Sequence, residues 1–543
     1  MKAAELFVKS LEASEVRYIF GVPGEENLAF VEALRQSSIQ LITTRDEQAA
    51  VFMAATVGRL TGRVGVALST LGPGATNLVT GVAYAQLGGM PLLVITGQKP
   101  IKKSKQGKFQ IIDVVGMMRP ITKFTDTIIS ADRVPSIVYQ AIRTAETERP
   151  GAVHLELPED VAEETSTVKP IDWKKIRRPI PDQKSIDAVV AVIEQAKRPV
   201  IVVANAANRK LVRKQLNSLI NKTRIPFVST QMGKGVIEED SPLYIGTTAL
   251  SDDDFVHSAL DAADLVIMVG HDITEKPPVL DHKRIVHINF YPADIDAVYT
   301  PIVEVIGDIS YALWAISEQI KPSKTWDFKP FLEYRDLLNK DISLHANSTS
   351  WPIKPQRFVK ELREVMPKSG ILSLDNGMYK IWVARNYPAY EQNTVLLDNA
   401  LASMGAGLPA GVAAKLLNPA RKVVIVAGDG GFMMNLADLE TAKRLGLDLV
   451  IIIVNDSGYG MIKWKQDEMG LQDFGLKFDN PDFVALAESF GAKGHRISKA
   501  TEFRPTLQKA IDEPGIHVID LPIDYSENKT SLGDSLKKRA NGE

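Results

Sequence analysis

Two carboxylates, Asp429 and Asp456, stand just past two apolar runs, in Gly428-Asp429-Gly430-Gly431 and in Asn455-Asp456-Ser457-Gly458. Their hard oxygens, with a backbone carbonyl from Gly458, suit Mg²⁺, an ion that keeps several waters and shares phosphate oxygens. Gly428, Gly430 and Gly431 allow close backbone approach, and the amides of a helix start favour an anion. The two turns together predict a clamp for a metal ion and a diphosphate. The plain alternative is a pair of ordinary strand-to-helix turns, where Asp and Gly are common. A single turn of this kind would leave that alternative standing. Two of them, at the ends of successive apolar runs, favour the clamp.

The surrounding elements must bring both turns to one place. Residues 423–426 are a β-branched strand, and residues 449–454 are a second apolar strand. Between them Leu436, Leu439, Ala442 and Leu445 fall at helical spacing. Strand, helix and strand of this kind build a parallel sheet, and both turns then lie at its carboxyl edge, where open α/β sheets bind ligands.

A second set of residues lies far upstream. Glu47 opens an apolar helix predicted over 48–60. It is either a charge on the helix dipole or a carboxyl in an apolar pocket, with a raised pKa, able to share a proton with a ring nitrogen. The turn Leu71-Gly72-Pro73-Gly74-Ala75-Thr76-Asn77 offers backbone amides and the Asn77 side chain at a strand end, or simply a helix cap. Phe109-Gln110 sits in a polar segment and either lines a site or pins a loop. No histidine precedes His154, and the third unit holds only His495 and His517. Acid–base work in the first unit therefore falls to Glu47, a cofactor or water.

The bulk properties bound these readings. A chain of 543 residues fits about three domains of roughly 150–200 residues each. Net charge is −2 with no basic block, so nucleic acid is not an expected partner. Cysteine is absent, which excludes disulfides and thiolate chemistry. The opening MKAAELFVKSLEASEV lacks the apolar centre of a signal peptide, and no apolar run reaches membrane-spanning length. A cytoplasmic protein with no membrane partner is expected. Alternating helix and strand patterns place a first unit at 1–165, a central unit at 183–325 and the clamp-bearing unit at 353–530. Pro- and charge-rich linkers at 158–182 and 326–352 separate them. The fold class is α/β, three doubly wound parallel-sheet domains. The first and third units share a rhythm without a demonstrable sequence repeat. The tail SLGDSLKKRANGE reads as frayed.

Taken together, these motifs resemble the thiamine-diphosphate decarboxylase superfamily, and within it the acetolactate synthase (acetohydroxyacid synthase large-subunit) group. The two aspartate turns are similar to its cofactor motif, Arg45-Asp46-Glu47 to its activating glutamate, and Gly72 to Asn77 to its pyrimidine-side turn. The similarity runs over nearly the whole chain. It implies thiamine diphosphate and Mg²⁺ as cofactors, with Asp429, Asp456 and Gly458 on the metal. It implies a homodimer or homotetramer whose sites lie between the first domain of one subunit and the third of its partner. Glu47 would bond N1′ of the aminopyrimidine, and Met404, in Ala402-Ser403-Met404-Gly405, would be the wedge that bends the cofactor. Further cofactor contacts are implied for Pro23, Gly24, Thr76, Asn77, Gly377, Met378, Ser403, Gly428, Gly430, Gly431, Tyr459, Gly460 and Met461. The implied reaction decarboxylates pyruvate and joins the two-carbon unit to a second pyruvate, giving 2-acetolactate and CO₂. The alternative is a related carboligase or decarboxylase of another 2-oxo acid. Gln110 would orient the acceptor. Lys123 would draw carboxylates inward, or is a solvated surface lysine.

Departures from the group's pattern point to a subtype. Where biosynthetic members carry an Arg-Phe-Asp-Asp-Arg flavin motif, this chain reads Gly270-His271-Asp272-Ile273-Thr274-Glu275. The glycine-rich turn after the central unit's first strand is replaced by Ala204-Asn205-Ala206-Ala207-Asn208. Bound FAD is therefore not expected. Asp456 and the stretch from Lys380 to Arg385 resemble the catabolic, FAD-free type. In the segment that tunes acceptor choice, Lys465 takes the slot of a tryptophan and Trp464 is displaced by one.

Overall fold

Runs of β-branched residues form the strands of three six-stranded sheets, and every pairing is parallel. The structure is a computed structural model describing all residues except 103–106, 251, 273, 276–279, 281–282 and 543, with the backbone alone at 534 and 541. In the first sheet the order is Gln40–Thr43, Tyr18–Gly21, Gly65–Ser69, Leu92–Gln98, Ala152–Pro158, Phe124–Thr127. The third sheet runs Val395–Leu396, Ile371–Leu374, Val423–Gly428, Leu449–Asn455, Ile516–Pro522, Lys493–Arg496. Numbered within each sheet, both orders read 2-1-3-4-6-5, so the repeat that the sequence does not display is present in the topology. The central sheet differs. Its order, Val303–Ile306, Arg284–Asn289, Leu265–Val269, Pro199–Val203, Phe227–Thr230, Tyr244–Thr248, reads 6-5-4-1-2-3, the dinucleotide-binding arrangement.

Packing divides the chain into two compact units, which cut across the clamp-bearing stretch. One contains residues 1–177 with 400–419 and 435–447; the other contains 178–399, 420–434 and 448–543. In the first unit the helix Glu47–Thr61 is buried along Ala49–Ala55 on all sides. It lies against the helix Gly407–Leu417 and the strand Gly65–Ser69. His154 is fully buried between Thr96 and Thr125, whose hydroxyls meet its two ring nitrogens at 2.9 and 2.7 Å. Burial lowers its pKa to about 3, so it is a neutral core group.

The second unit holds the central and third sheets. Two expectations are corrected. The helix expected between the clamp turns is broken into Asp429–Met434, Leu436–Asp438 and Leu439–Arg444. The break falls at Asn435 (φ −129°, ψ 22°). The tail is not frayed: Leu536 and Ala540 are buried in the central sheet's core. Arg539 donates to Asp341 at 2.9 Å, and Asp341 also accepts from buried Arg385. Arg385 in turn grips Asp254 with two bonds of 2.7 and 3.0 Å. A buried guanidinium of this kind is tolerated because each carboxylate around it is hydrogen-bonded. Lys380 is likewise structural, its ammonium donating to Asn376, the Asp398 carbonyl and Asn399 at 2.8, 3.0 and 3.2 Å. Among the described residues no helix is long and apolar enough to cross a membrane.

Candidate functional site

In the second unit both clamp turns lie at the carboxyl edge of neighbouring strands, where Gly428 pairs with Val454. Asp429 is 1 % exposed and opens the short helix Asp429–Met434. One oxygen accepts the Gly430 N–H at 2.9 Å; the other accepts the Ser457 N–H at 2.8 Å and the Asn480 amide at 2.7 Å. The two turns are thereby tied directly. Ser457 accepts a left-handed φ of 54° to make that bond, a conformation that costs a non-glycine residue energy. Asn480, in a stretch that reads as an ordinary loop, is a partner of Asp429 that the sequence does not announce. It also donates to Asn455 at 3.1 Å, while Asn455 turns its own amide to Asp520 at 2.9 Å. The Asn455 side chain is thus spent on Ser457, Asn480 and Asp520, and Asp456 is left as the second carboxylate.

Electrostatics fit a cation. Burial raises the pKa of Asp429. Asp456 is raised to about 7, by burial first and by the charge of Asp429 second. A buried carboxylate whose ionisation a neighbouring carboxylate opposes is relieved by a divalent ion. Among the described residues no group of three or more His, Cys, Asp or Glu could hold a metal. Two carboxylates and the Gly458 carbonyl would supply only part of the octahedral set that Mg²⁺ takes, and phosphate and water, which it prefers, would complete it.

The glycines are packed, each against a specific group. A Cβ at Gly377 would lie 2.5 Å from Tyr379 Cε1, and one at Gly428 would lie 3.1 Å from the same atom. The Tyr379 ring thus floors the cradle, its hydroxyl buried without a partner. A Cβ at Gly431 would come within 2.6 Å of Asp375, and one at Gly460 within 2.5 Å of Asp456. Gly430 faces Tyr459 and Phe478, whose rings meet edge to face at 5.1 Å. Met378 is buried; Gly458 and Met461 are partly buried. Beside Asp456 opens a cleft of about 740 Å³, reached by Lys463, Trp464, Tyr525 and Lys529. Trp464 is 7 % exposed and its indole N–H has no partner. Lys465 stands outside, paired with Glu468 at 2.6 Å and lying 4.5 Å over the Trp464 ring.

The first unit assembles the upstream residues. Asp46 caps the helix by accepting the Gln48 N–H at 2.7 Å, which leaves the Glu47 side chain free of that duty. Its carboxylate instead accepts the Asn77 amide at 2.9 Å. Gly74 lets the carboxylate in, since a Cβ there would lie 3.1 Å from Glu47 Oε1. Asn77 is therefore a partner of Glu47 and not a cap. The Thr76 hydroxyl is spent on the Pro73 carbonyl at 2.8 Å. Gln110, at φ 59°, is brought against the same turn, its carbonyl 2.9 Å from where a Gly72 Cβ would stand. Gly24 donates its N–H to Asn27 at 2.9 Å and has no space for a side chain beside Thr70; Pro23 is exposed. Ser403 donates to the Met404 carbonyl at 3.1 Å, and Met404 is half-buried. Lys123 is a correction. Its ammonium is bound by the carbonyls of Thr144, Thr147 and Arg149 at 2.6, 2.8 and 2.6 Å, and burial lowers its pKa to about 8. It ties off a helix end and has no donor left for a substrate.

At the matching edge of the central sheet the geometry is closed. The Ala206 N–H donates to the Gly270 carbonyl at 2.9 Å, Ala207 to Ala204 at 3.0 Å and Asn208 to Asn205 at 3.0 Å. A Cβ at Gly270 would lie 2.3 Å from the Ala207 nitrogen. Ile273, within the stretch that replaces the flavin motif, lies outside the described residues.

Comparison with known proteins agrees with this geometry. Family models described as thiamine pyrophosphate enzyme, N-terminal TPP binding domain, central domain and C-terminal TPP binding domain match residues 1–117, 186–316 and 375–521. The chain belongs to the thiamine pyrophosphate enzymes. Within them it is 33 % identical to "Acetolactate synthase" of Bacillus subtilis (strain 168), over 99 % of this chain and 96 % of that protein. It is 32 % identical to "Acetolactate synthase, catabolic" of Raoultella terrigena, over 98 % and 96 %. It is 28 % identical to "Acetolactate synthase 1, chloroplastic" of Zea mays, over 97 % and 86 %.

Proposed function

We propose that this chain is an acetolactate synthase of the catabolic, FAD-independent type, dependent on thiamine diphosphate and Mg²⁺. It converts two pyruvates to 2-acetolactate and CO₂. The observation that carries the reading is the tied pair of turns, Asp429 bonded to the Ser457 N–H, in a chain whose full-length relatives are acetolactate synthases. Bound thiamine diphosphate supplies the nucleophilic carbon and the electron sink for decarboxylation. The chain's own residues do the rest. Asp429, Asp456 and Gly458 hold Mg²⁺, and the amides beside Gly430 and Gly431 take the diphosphate charge. Glu47, oriented by Asn77, holds and returns a proton at the pyrimidine nitrogen, a role that geometry sets before acidity. Met404 and Ser403 shape the space above the ring, and Gln110 orients the acceptor.

Three further parts complete the proposal. Domain limits are 1–165, 183–325 and 353–530. The absence of FAD is supported by the central sheet's edge, whose amides are consumed by its own carbonyls. A homodimer or homotetramer with sites at the subunit interface is supported by the apolar surface of the clamp-bearing segments. Met434, Ile462, Met469, Leu471 and Phe474 are all more than half exposed there, Phe474 at 86 %, and such patches mark protein interfaces. The enzyme acts in the cytoplasm. A second reading, an acceptor other than pyruvate, is favoured by the inward Trp464 and outward Lys465. The test is to incubate purified protein with pyruvate, thiamine diphosphate and Mg²⁺, acidify, and assay acetoin, then repeat with 2-ketobutyrate in competition. Acetaldehyde without acetoin would overturn the carboligase assignment, and flavin absorbance in the purified protein would overturn the FAD-free one.

A further inference from the structure

The short stretch that follows the first clamp helix has no part in the chemistry above, yet it carries two buried polar side chains aimed at it. Asp438 is fully buried. One of its oxygens accepts the Arg45 N–H at 3.1 Å and the Thr441 hydroxyl at 2.7 Å; the other has no partner. Arg45 lies two residues before Glu47. Arg444, from the same stretch, donates to the Thr43 carbonyl, and the Thr44 hydroxyl bonds the Asp46 carbonyl at 2.9 Å. The loop 43–46 is therefore held from the 435–444 side at two backbone points. Asn435 is 5 % exposed and donates its amide to the Gly405 carbonyl at 2.9 Å. Gly405 follows Met404, in a turn where Ala402 and Gly405 both adopt positive φ, 55° and 85°.

A buried carboxylate with one idle oxygen is an expensive way to fill space, because burial penalises the charge and an unpaired acceptor loses its water. Burial indeed raises the pKa of Asp438. An apolar side chain would pack there at lower cost. What Asp438 supplies that an apolar residue cannot is the bond to the Arg45 N–H. We propose that Asp438 and Asn435 are positioning residues, Asp438 for the Glu47 loop and Asn435 for the Met404 turn. The inference rests on the reading that Glu47 and Met404 serve thiamine diphosphate. Neither Asp438 nor Asn435 touches the reacting atoms; they act through Glu47 and Met404.

The test uses the full-length protein with Asp438→Ala, Asp438→Asn and Asn435→Ala. Asn keeps an acceptor for the Arg45 N–H; Ala does not. In cofactor-free protein, amide hydrogen exchange at residues 43–47 should rise at least about tenfold in Asp438→Ala and stay near wild type in Asp438→Asn, with circular dichroism unchanged. In holoenzyme, Asp438→Ala should slow exchange of the thiazolium C2 proton and lower kcat by about 10–100-fold, the range for residues behind a functional group. The KM for pyruvate should stay within about twofold, and Asp438→Asn should restore most of the rate. Unchanged amide exchange in Asp438→Ala, or an Asp438→Asn variant as slow as Asp438→Ala, overturns the proposal. Should Asp438→Ala not fold, Asp438→Asn and Asn435→Ala carry the test, and a wild-type C2 exchange rate in Asn435→Ala overturns that residue's role. A wild-type protein without acetoin formation sinks the functional assignment instead, and the amide exchange data still judge the brace.

Discussion

The carboxyl edges of the third and central sheets make opposite use of the same architecture. Both are parallel, six-stranded and open at a point where strand order reverses, the position at which such sheets bind ligands. In the third sheet the residues after the strands are Gly428-Asp429-Gly430-Gly431 and Asn455-Asp456-Ser457-Gly458, and they bring together two carboxylates with raised pKa, one buried and one partly buried. In the central sheet, the one with dinucleotide-type order, the amides of 206–208 fold back onto carbonyls of their own loop and of Gly270. A strand order marks where a ligand could sit. Whether the backbone there is free to receive it is decided by a few residues after each strand.

That contrast can be broken by experiment, beginning with the largest effect. Asp429→Ala removes the group that joins the two turns, and Mg²⁺-dependent retention of thiamine diphosphate should fall by at least about 100-fold, beyond the usual range for residues behind a ligand. Asn480→Ala should cost about 10–100-fold in the same titration, since it removes one donor to Asp429. Next comes pH. The metal-free fold favours protonated Asp456, whose pKa is about 7 against about 3.9 for a free aspartate. The metal-free protein should thus lose stability as pH rises between those values. Mg²⁺, which needs the carboxylate, should bind about tenfold more tightly at pH 8 than at pH 6. Calorimetric Mg²⁺ titrations showing the reverse trend would remove Asp456 from the clamp. On the closed edge, Gly270→Ala meets a backbone nitrogen and a φ of 71°. It should lower the first urea transition by about 1–3 kcal/mol without changing Mg²⁺ affinity. Lys465→Ala, on the exposed side of Trp464, should change stability by no more than about 0.5 kcal/mol. A shift in acceptor preference in that variant, measured by pyruvate and 2-ketobutyrate competition, would place Lys465 in the substrate's path.

Sequence pattern alone locates the strands well where burial is complete. The apolar runs Pro199–Val203 and Leu265–Val269 are strands, because β-branched residues buried on both faces leave no competing pattern. Asp429, Asp456 and Glu47 are legible because their neighbours are glycines or an apolar helix. Asn480, Tyr379 and Asp438 are not. Each acts through a contact with residues distant in sequence, and each sits in a stretch whose local pattern reads as loop, helix or turn. Lys123 shows the same limit from the other side. Nothing in Thr122-Lys123-Phe124 reveals that three carbonyls between 144 and 149 await its ammonium. The helix expected through Leu436, Leu439, Ala442 and Leu445 has the right apolar spacing but is broken at Asn435, where a side-chain bond to Gly405 outweighs helical continuity.

The buried attachment of Leu536, Ala540 and Arg539 to the central sheet bears on how the protein is made. That sheet's strands are synthesised between residues 199 and 306, but one face of its core includes side chains from 536 and 540. During synthesis the central unit therefore emerges with apolar surface that its own contiguous residues do not cover, and it waits for the rest of the chain. Domains usually mature in the order in which they are translated. Here the middle is completed only after residues 536 and 540 have been made.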